Sequence, residues 1–305
     1  MTNETRFDRR SLMLGVAVTG GVVAAMQARA ETPSITQLAD IPLASGTTLT
    51  VERRGSIALF GINRQQIQNR IDPATFQALG RAYYDYDHDP SLRAAVLFGH
   101  GEHFSRGIDV VGFRPLLVAG KPMIAGNDVI DPLGKAKPFL TKPLIVAVHG
   151  DTWNMAHELF LLADIGVAAI NTQFGQDENT HGRFPGGGAT VRFVREAGWG
   201  NAMRYMLTGD HWTAAEAYRM GTVQQMAPTA EAALAAALQL AEKVSAGGPL
   251  GIKTTLASAH MAIDPAEAVA LNRIDTQFAA LFHTRDFREG QEADAQHRRP
   301  NYLGE

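Results

Sequence analysis

Apolar and polar positions alternate over Thr48–Arg53 and again over Ser56–Ile62, either side of the Arg54-Gly55 turn. A period of two on both arms of a tight turn predicts a β-hairpin. Asp72-Pro73 then supplies an N-cap followed by a first-turn proline, and predicts a helix running to about His88. Short apolar runs at Arg93–Phe98, Leu144–Val148 and Ile165–Ala169 predict buried strands. The first ends in the turn-rich Gly99–Gly107. The second stops at His149-Gly150, and a helix is predicted from about Asn154 to Ala163. Strands alternating with helices define an α/β protein with parallel strands. Beyond Pro228 the texture changes: Ala230–Val244, Pro249–Met261, Pro265–Phe282 and Asp286–His297 carry helical periodicity and almost no strand signal, which predicts a helical appendage over 229–305. Phe113–Pro143, with scattered Gly and Pro, reads as a mobile loop or lid with a short helix.

The N-terminus departs from this pattern. Arg9-Arg10 precedes an apolar, glycine-containing run from Leu12 to Met26 and then Ala28-Arg29-Ala30, a small-x-small cleavage pattern. The pattern predicts a twin-arginine export signal over 1–30, a core over 31–228 and a periplasmic mature protein. An uncleaved anchor, or a start at Met13 or Met26 with a cytoplasmic product, are the competing readings. The run falls short of the roughly 20 residues of a membrane-spanning helix, so no membrane association is expected after signal removal. Removing four Arg and two acidic residues with that segment takes the formal charge from −3 to −5, which disfavours nucleic acid as a partner. The absence of cysteine excludes disulfides, thiolate metal sites and a cysteine nucleophile. The histidines lack a metal-ligand spacing such as His-x-x-x-His, and no glycine-rich phosphate loop follows a strand, so neither a metal centre nor a nucleotide-dependent dehydrogenase is expected.

Two strand ends carry the candidate chemistry. One is Phe104-Ser105-Arg106-Gly107-Ile108-Asp109; the other is His149–Glu158, where a strand gives way to a helix N-terminus. Unpaired N–H groups at two such turns, aimed at one point, form an oxyanion hole able to hold an enolate. Many α/β folds contain such turns, so the residues alone leave the question open.

The stretch from Pro143 to Pro228 resembles the core of the crotonase (enoyl-CoA hydratase/isomerase) superfamily. Lys142–Gly150, Glu158-Leu159 with Ala163-Asp164-Ile165, Phe174-Gly175-Gln176-Asp177-Glu178, Phe184–Gly188, Leu207-Thr208-Gly209, Ala214–Ala217 and Gly221-Thr222-Val223 follow the family's order and spacing. Phe104–Asp109 is similar to its upstream turn and Leu281–Pro300 to its C-terminal helix. The resemblance implies a spiral core of ββα turns with a C-terminal helical trimerisation region, hence a homotrimer or a hexamer built as a dimer of trimers. It implies oxyanion-hole N–H groups at Ile108 and Met155 and two catalytic carboxylates, Glu158 and Glu178, twenty positions apart. One would activate water while the other exchanges a proton with the substrate α-carbon. It further implies a coenzyme A thioester as substrate and no tightly bound cofactor. Two glutamates favour water chemistry over simple double-bond migration.

The pattern breaks in three places. The glycine-rich stretch before Glu158 is Asn154-Met155-Ala156-His157, the proline before Glu178 is Asp177, and Arg106 stands where a small residue is usual. Export would also separate the chain from coenzyme A. These departures keep open a coenzyme-A-independent hydrolase cleaving carbon–carbon bonds of β-diketones, in which His157, Asp177 and His181 would be catalytic. A silent protein that only binds a small carbonyl compound is the third reading. His149, at a strand end, is expected to be structural.

Overall fold

The computed structural model describes residues 47–304. The proposed export signal lies outside the described residues. The hairpin forms as β1 (Leu49–Arg54) antiparallel to β2 (Ile57–Ile62), turning through Gly55 at φ +57°. Helix α1 (Pro73–His88) starts where its cap predicts, with the Asp72 carboxylate accepting from the Thr75 N–H at 2.8 Å. Strands β3 (Ala94–Gly99), β4 (Leu144–Val148), β6 (Ile165–Ala169) and β9 (Gln225–Ala227) join β2 in parallel, giving a six-stranded sheet in the order β1-β2-β3-β4-β6-β9. Strands β2, β3 and β4 are buried along their whole length, which accounts for their unbroken apolar runs.

A second, three-stranded sheet is made from β5 (Asp151–Trp153), β7 (Gln173–Gly175) and β8 (Trp212–Thr213). Helix α2 (Val110–Val118) follows the 104–109 turn, and α3 (Met155–Leu162) follows β5. Helices α4 (Ala189–Ala197), α5 (Trp199–Thr208) and α6 (Ala214–Met220) complete the central region, and α7 (Ala230–Ser245), α8 (Pro249–Leu281) and α9 (Arg285–Ala295) form the C-terminal part.

Three expectations are corrected. Pro249–Met261 and Pro265–Phe282 are one helix, α8, with Pro265 inside it. A proline there removes one backbone donor. The carbonyl left without it belongs to the exposed Met261, where water can reach it. Second, α7 packs against β3, β4 and β6, so the helical texture beyond Pro228 begins as a cover over the core sheet. Third, the 113–143 stretch is not a free lid throughout. Val129, Ile130, Asp131, Leu133 and Lys135 are buried, and the Asp131 carboxylate accepts from the N–H groups of Leu133 and Lys135, folding this part into the core. The expected short helix is α2. No helix among the described residues is long and apolar enough to cross a membrane.

Candidate active site

Backbone register alone brings the two turns together. Ser105 pairs in parallel with Thr152: the Ser105 N–H donates to the Asp151 carbonyl at 3.1 Å and the Trp153 N–H to the Ser105 carbonyl at 3.1 Å. Continued three residues along both chains, this register sets Ile108 beside Met155. Gly107 lies between them at φ +84°, and a Cβ there would stand 2.7 Å from the Trp153 carbonyl and 3.3 Å from the Met155 nitrogen. Only glycine allows that approach. Neighbouring amides are committed elsewhere: Gly107 N–H to Ser105 Oγ, Asp109 N–H to the Ile71 carbonyl, Asn154 N–H to the Gly175 carbonyl. The N–H groups of Ile108 and Met155 find no partner among the described residues, the latter because it opens a helix.

The glutamates reach the same place from the other side. Glu158 sits in the first turn of α3, and β7, paired with β5 through Trp153 and Gly175, leads into a 3₁₀ turn (Glu178–His181) that begins with Glu178. Ile108, Met155, Glu158 and Glu178 all line one pocket, which encloses about 480 Å³ including its mouth; Phe184 and Phe278 add to its apolar wall.

The carboxyls are buried but unequal. Glu158 Oε1 accepts from the Gly187 N–H at 2.7 Å and the Ala189 N–H at 3.1 Å. Burial raises its pKa, against the pull of those two donors and of the nearby Lys135 and Arg192 charges. Glu178 has one bond, from Gln176 Nε2 at 3.1 Å, and its Oε2 is buried without a partner. Burial pushes Glu178 well up, and the charge of Glu158 pushes it further. Both carboxyls are thus pushed upward as an interacting pair, Glu178 the more strongly.

A supporting shell escaped sequence reading. Arg192, itself buried, donates to the carbonyls of Gly187 and Gly134, and Lys135 Nζ donates to the Gly186 carbonyl and pairs with Asp275. These cations hold the 185–189 stretch so that its N–H groups face Glu158. Gly187 allows no side chain, since a Cβ there would come within 2.2 Å of Glu158 Oε2. Gly187→Ala is expected to displace the carboxylate and lower kcat on an enoyl thioester by about 100-fold in a folded protein, a loss typical of small misplacements. Steady-state kinetics beside a circular-dichroism spectrum checks this, and an unchanged kcat would show that the close approach is unimportant.

The three other candidates are not brought to the pocket. His157 is fully buried behind it among Phe160, Phe174, Phe193 and Trp212, and burial lowers its pKa to about 4. Its Nδ1 bonds Gln176 Oε1 at 2.7 Å, which orients the Gln176 amide toward Glu178, so its effect on the site is indirect. His181 pairs with Asp294 of α9, and its pKa is raised by its hydrogen bond with Asp177.

Asp177 joins two of the sequence departures. Asn154 occupies φ +56°, ψ −119°, a conformation suited to glycine and costing another residue roughly 1–3 kcal/mol. Its side chain is clamped to Asp177 at both ends: Asn154 Nδ2 donates to Asp177 Oδ1 at 2.8 Å, and the Asp177 N–H donates to Asn154 Oδ1 at 3.0 Å. A proline at 177 would lack that N–H. Asp177 Oδ2 bonds His211 Nε2 at 3.0 Å. Burial opposes ionisation of Asp177, but hydrogen bonds from His181, His211 and Asn154 outweigh it and hold the carboxyl well below the ordinary range. His149 is structural, its Nε2 bonded to the Gly101 carbonyl at 2.8 Å. Among the described residues no cluster of His, Cys, Asp and Glu has the form of a metal site.

A mostly parallel six-stranded sheet and a smaller three-stranded one, with two strand-to-helix turns and two buried carboxyls around one pocket, define a crotonase-type enzyme. Residues 52–305 match the family model described as enoyl-CoA hydratase/isomerase, and the chain belongs to that family. It is 36% identical over 261 residues to the enoyl-CoA hydratase EchA19 of Mycobacterium tuberculosis, covering 85% of this chain and 97% of the other. It is 31% identical over 257 residues to the 2,3-dehydroadipyl-CoA hydratase of Escherichia coli, covering 84% and 98%. Among solved structures it is similar to a carnitinyl-CoA hydratase from Mycobacterium avium, with a TM-score of 0.75 at 29% identity over 85% of this chain and 99% of the other. The chain is thus an enzyme of the hydratase/isomerase type.

Proposed function

We propose that this enzyme adds water reversibly to a 2-enoyl thioester of coenzyme A. The observation that carries the reading is that Glu158 and Glu178, in unequal environments, line one pocket with Ile108 and Met155. The thioester oxygen sits between the N–H groups of Ile108 and Met155. Glu158, ionised, takes a proton from water as the hydroxyl adds to the β-carbon, and the displaced electron pair moves onto the thioester oxygen. The enolate is held by the two amides until the carboxylic acid of Glu178 delivers its proton to the α-carbon. The resulting Glu158 acid and Glu178 carboxylate exchange a proton with solvent to restart the cycle. A supply of donors fixed by the fold needs no reorganisation at the moment of reaction.

The purified protein is expected to hydrate crotonyl-CoA with a bell-shaped pH dependence of kcat/KM. Rate rises as Glu158 loses its proton and falls as Glu178 loses its own. Both limbs lie above the ordinary glutamate range near about 4.3, and both belong to the coupled pair. No hydration at any pH, together with cleavage of a cyclic β-diketone, would reject the proposal. That rival reading loses its support here, because His157 and His181 stand outside the pocket and Asp177 is engaged in the clamp.

Two further expectations are carried as proposals. The exposed apolar side chains Leu250, Met261 and Val269 along α8 support self-association, for which a trimer is proposed. Export through the Arg9-Arg10 signal is proposed with it. Cell fractionation is expected to find the protein in the periplasm and an Arg9→Lys/Arg10→Lys variant in the cytoplasm; equal distribution of the two would reject export.

A further inference from the structure

Arg183 lines the pocket beside Glu178, and its own N–H donates to the Glu178 carbonyl at 2.8 Å, which fixes its place close to the reacting centre. Its side chain makes no hydrogen bond or ion pair among the described residues, and its Nε is buried without a partner. A guanidinium carries five N–H donors, cannot shed its charge, and is matched in shape by a carboxylate. The carboxylates nearby are already engaged. Asp177 is bonded to Asn154 and His211. Asp109 is paired with Arg64 at 3.5 Å and caps α2 through the Gly112 N–H. Glu178 feels the Arg183 charge, which opposes the upward push of burial, but makes no hydrogen bond or ion pair with it.

More positive charge is close by. Arg70 precedes Ile71, which pairs with Ile108 at the pocket edge, and its side chain is half-buried with no ion pair among the described residues. Burial lowers its pKa, and the charges of Arg106 and Arg183 lower it further, so the three guanidinium groups stand within electrostatic reach of one another. Arg106 alone of the three has a carboxylate partner, Asp151 at 2.6 Å. The charges of Asp109 and Asp177 act on Arg70 in the opposite sense, and Arg183 is the arginine that reaches the apolar pocket without an ion pair among the described residues.

We propose that Arg183 binds a carboxylate carried by the acyl chain of the substrate, so that the preferred thioesters are half-esters of dicarboxylic acids. The inference rests on the thioester reading above. An acyl carboxylate fits better than the phosphates of coenzyme A, because Arg183 lines the same pocket as Glu178, whereas the extended pantetheine arm carries the phosphates far from the thioester. A bidentate Arg–carboxylate bond in a site sheltered from water discriminates strongly against a methyl end, which leaves the guanidinium unmatched.

The test compares trans-2-enoyl-CoA esters of equal length ending in carboxylate or methyl, such as glutaconyl-CoA against 2-pentenoyl-CoA. The wild-type enzyme is expected to favour the carboxylate end by about 10-fold or more in kcat/KM. Arg183→Gln should collapse that ratio, and Arg183→Lys should restore part of it. Wild-type enzyme that hydrates both esters without preference overturns the inference while leaving the hydratase reading intact. A ratio unmoved by Arg183→Gln also overturns it, assigning Arg183 to the electrostatics of Glu178 or to the carrier. Hydration of neither ester by wild type would instead count against the parent proposal.

Discussion

Glu158→Gln and Glu178→Gln are each expected to lower kcat for crotonyl-CoA hydration by about 100- to 10,000-fold, the usual worth of a positioned acid or base. In Glu158→Gln the side-chain oxygen still accepts from the Gly187 and Ala189 N–H groups, so the fold around it stands, but the amide cannot take a proton from water. In Glu178→Gln the α-carbon loses its proton donor. The double variant should be scarcely worse than either single one, since each step already requires both groups. The two single variants also separate the roles. Exchange of the α-hydrogen of bound butyryl-CoA with deuterated solvent needs Glu178 but no water addition, so it should survive in Glu158→Gln and vanish in Glu178→Gln. Rates of hydration by ultraviolet absorbance and of exchange by mass spectrometry give both readouts. Exchange lost equally in both variants would remove the assigned division of labour.

Asp177→Ala is expected to cost about 2–4 kcal/mol of stability and to lower kcat by 10-fold or more. It removes one bond from the clamp on Asn154 and the carboxylate shared with His211. Asn154, held at φ +56° by that clamp, then relaxes toward a negative φ, and the N-terminus of α3 moves with it. Met155, whose N–H is assigned to the enolate oxygen, is the next residue. Glycine takes the observed conformation without strain, so Asn154→Gly in the Asp177→Ala background should recover much of the lost kcat. A double-variant cycle with thermal melts and kinetics measures the coupling. Additive losses would mean that Asn154 and Asp177 act independently, and the paired account of the two departures would fail.

Much of the fold was legible in the sequence because the physics concerned is local. The cap at Asp72, the hairpin turn and the apolar runs of β3, β4 and β6 were such signals, whereas Ile108, Met155, Glu158 and Glu178 were marked by the family resemblance of the motifs around them, and β5 and β7 were not foreseen. What escaped depends on contacts between distant segments. Arg192 and Lys135 look like ordinary basic residues until Gly186, Gly187 and Gly134 are seen to face them. The run Val129–Leu133 carried an apolar signal that its flanking glycines and prolines obscured. Gln176 was visible only as part of a turn, yet it relays the ring of His157 to Glu178. Asn154 and Asp177 each read as a loss, of a glycine and of a proline; only their side chains together explain both. Pro265 misled in the opposite sense, because an exposed helix can leave one carbonyl to water.

The central claim is that two main-chain donors polarise a thioester carbonyl above a carboxyl pair. It is tested most directly by the ¹³C resonance of carbonyl-labelled crotonyl-CoA bound to the Glu158→Gln enzyme, where turnover is slow enough to observe the complex. The account expects the carbonyl signal to move well downfield of the free thioester, because the Ile108 and Met155 N–H groups remain in place. A bound signal at the position of the free ligand would contradict it.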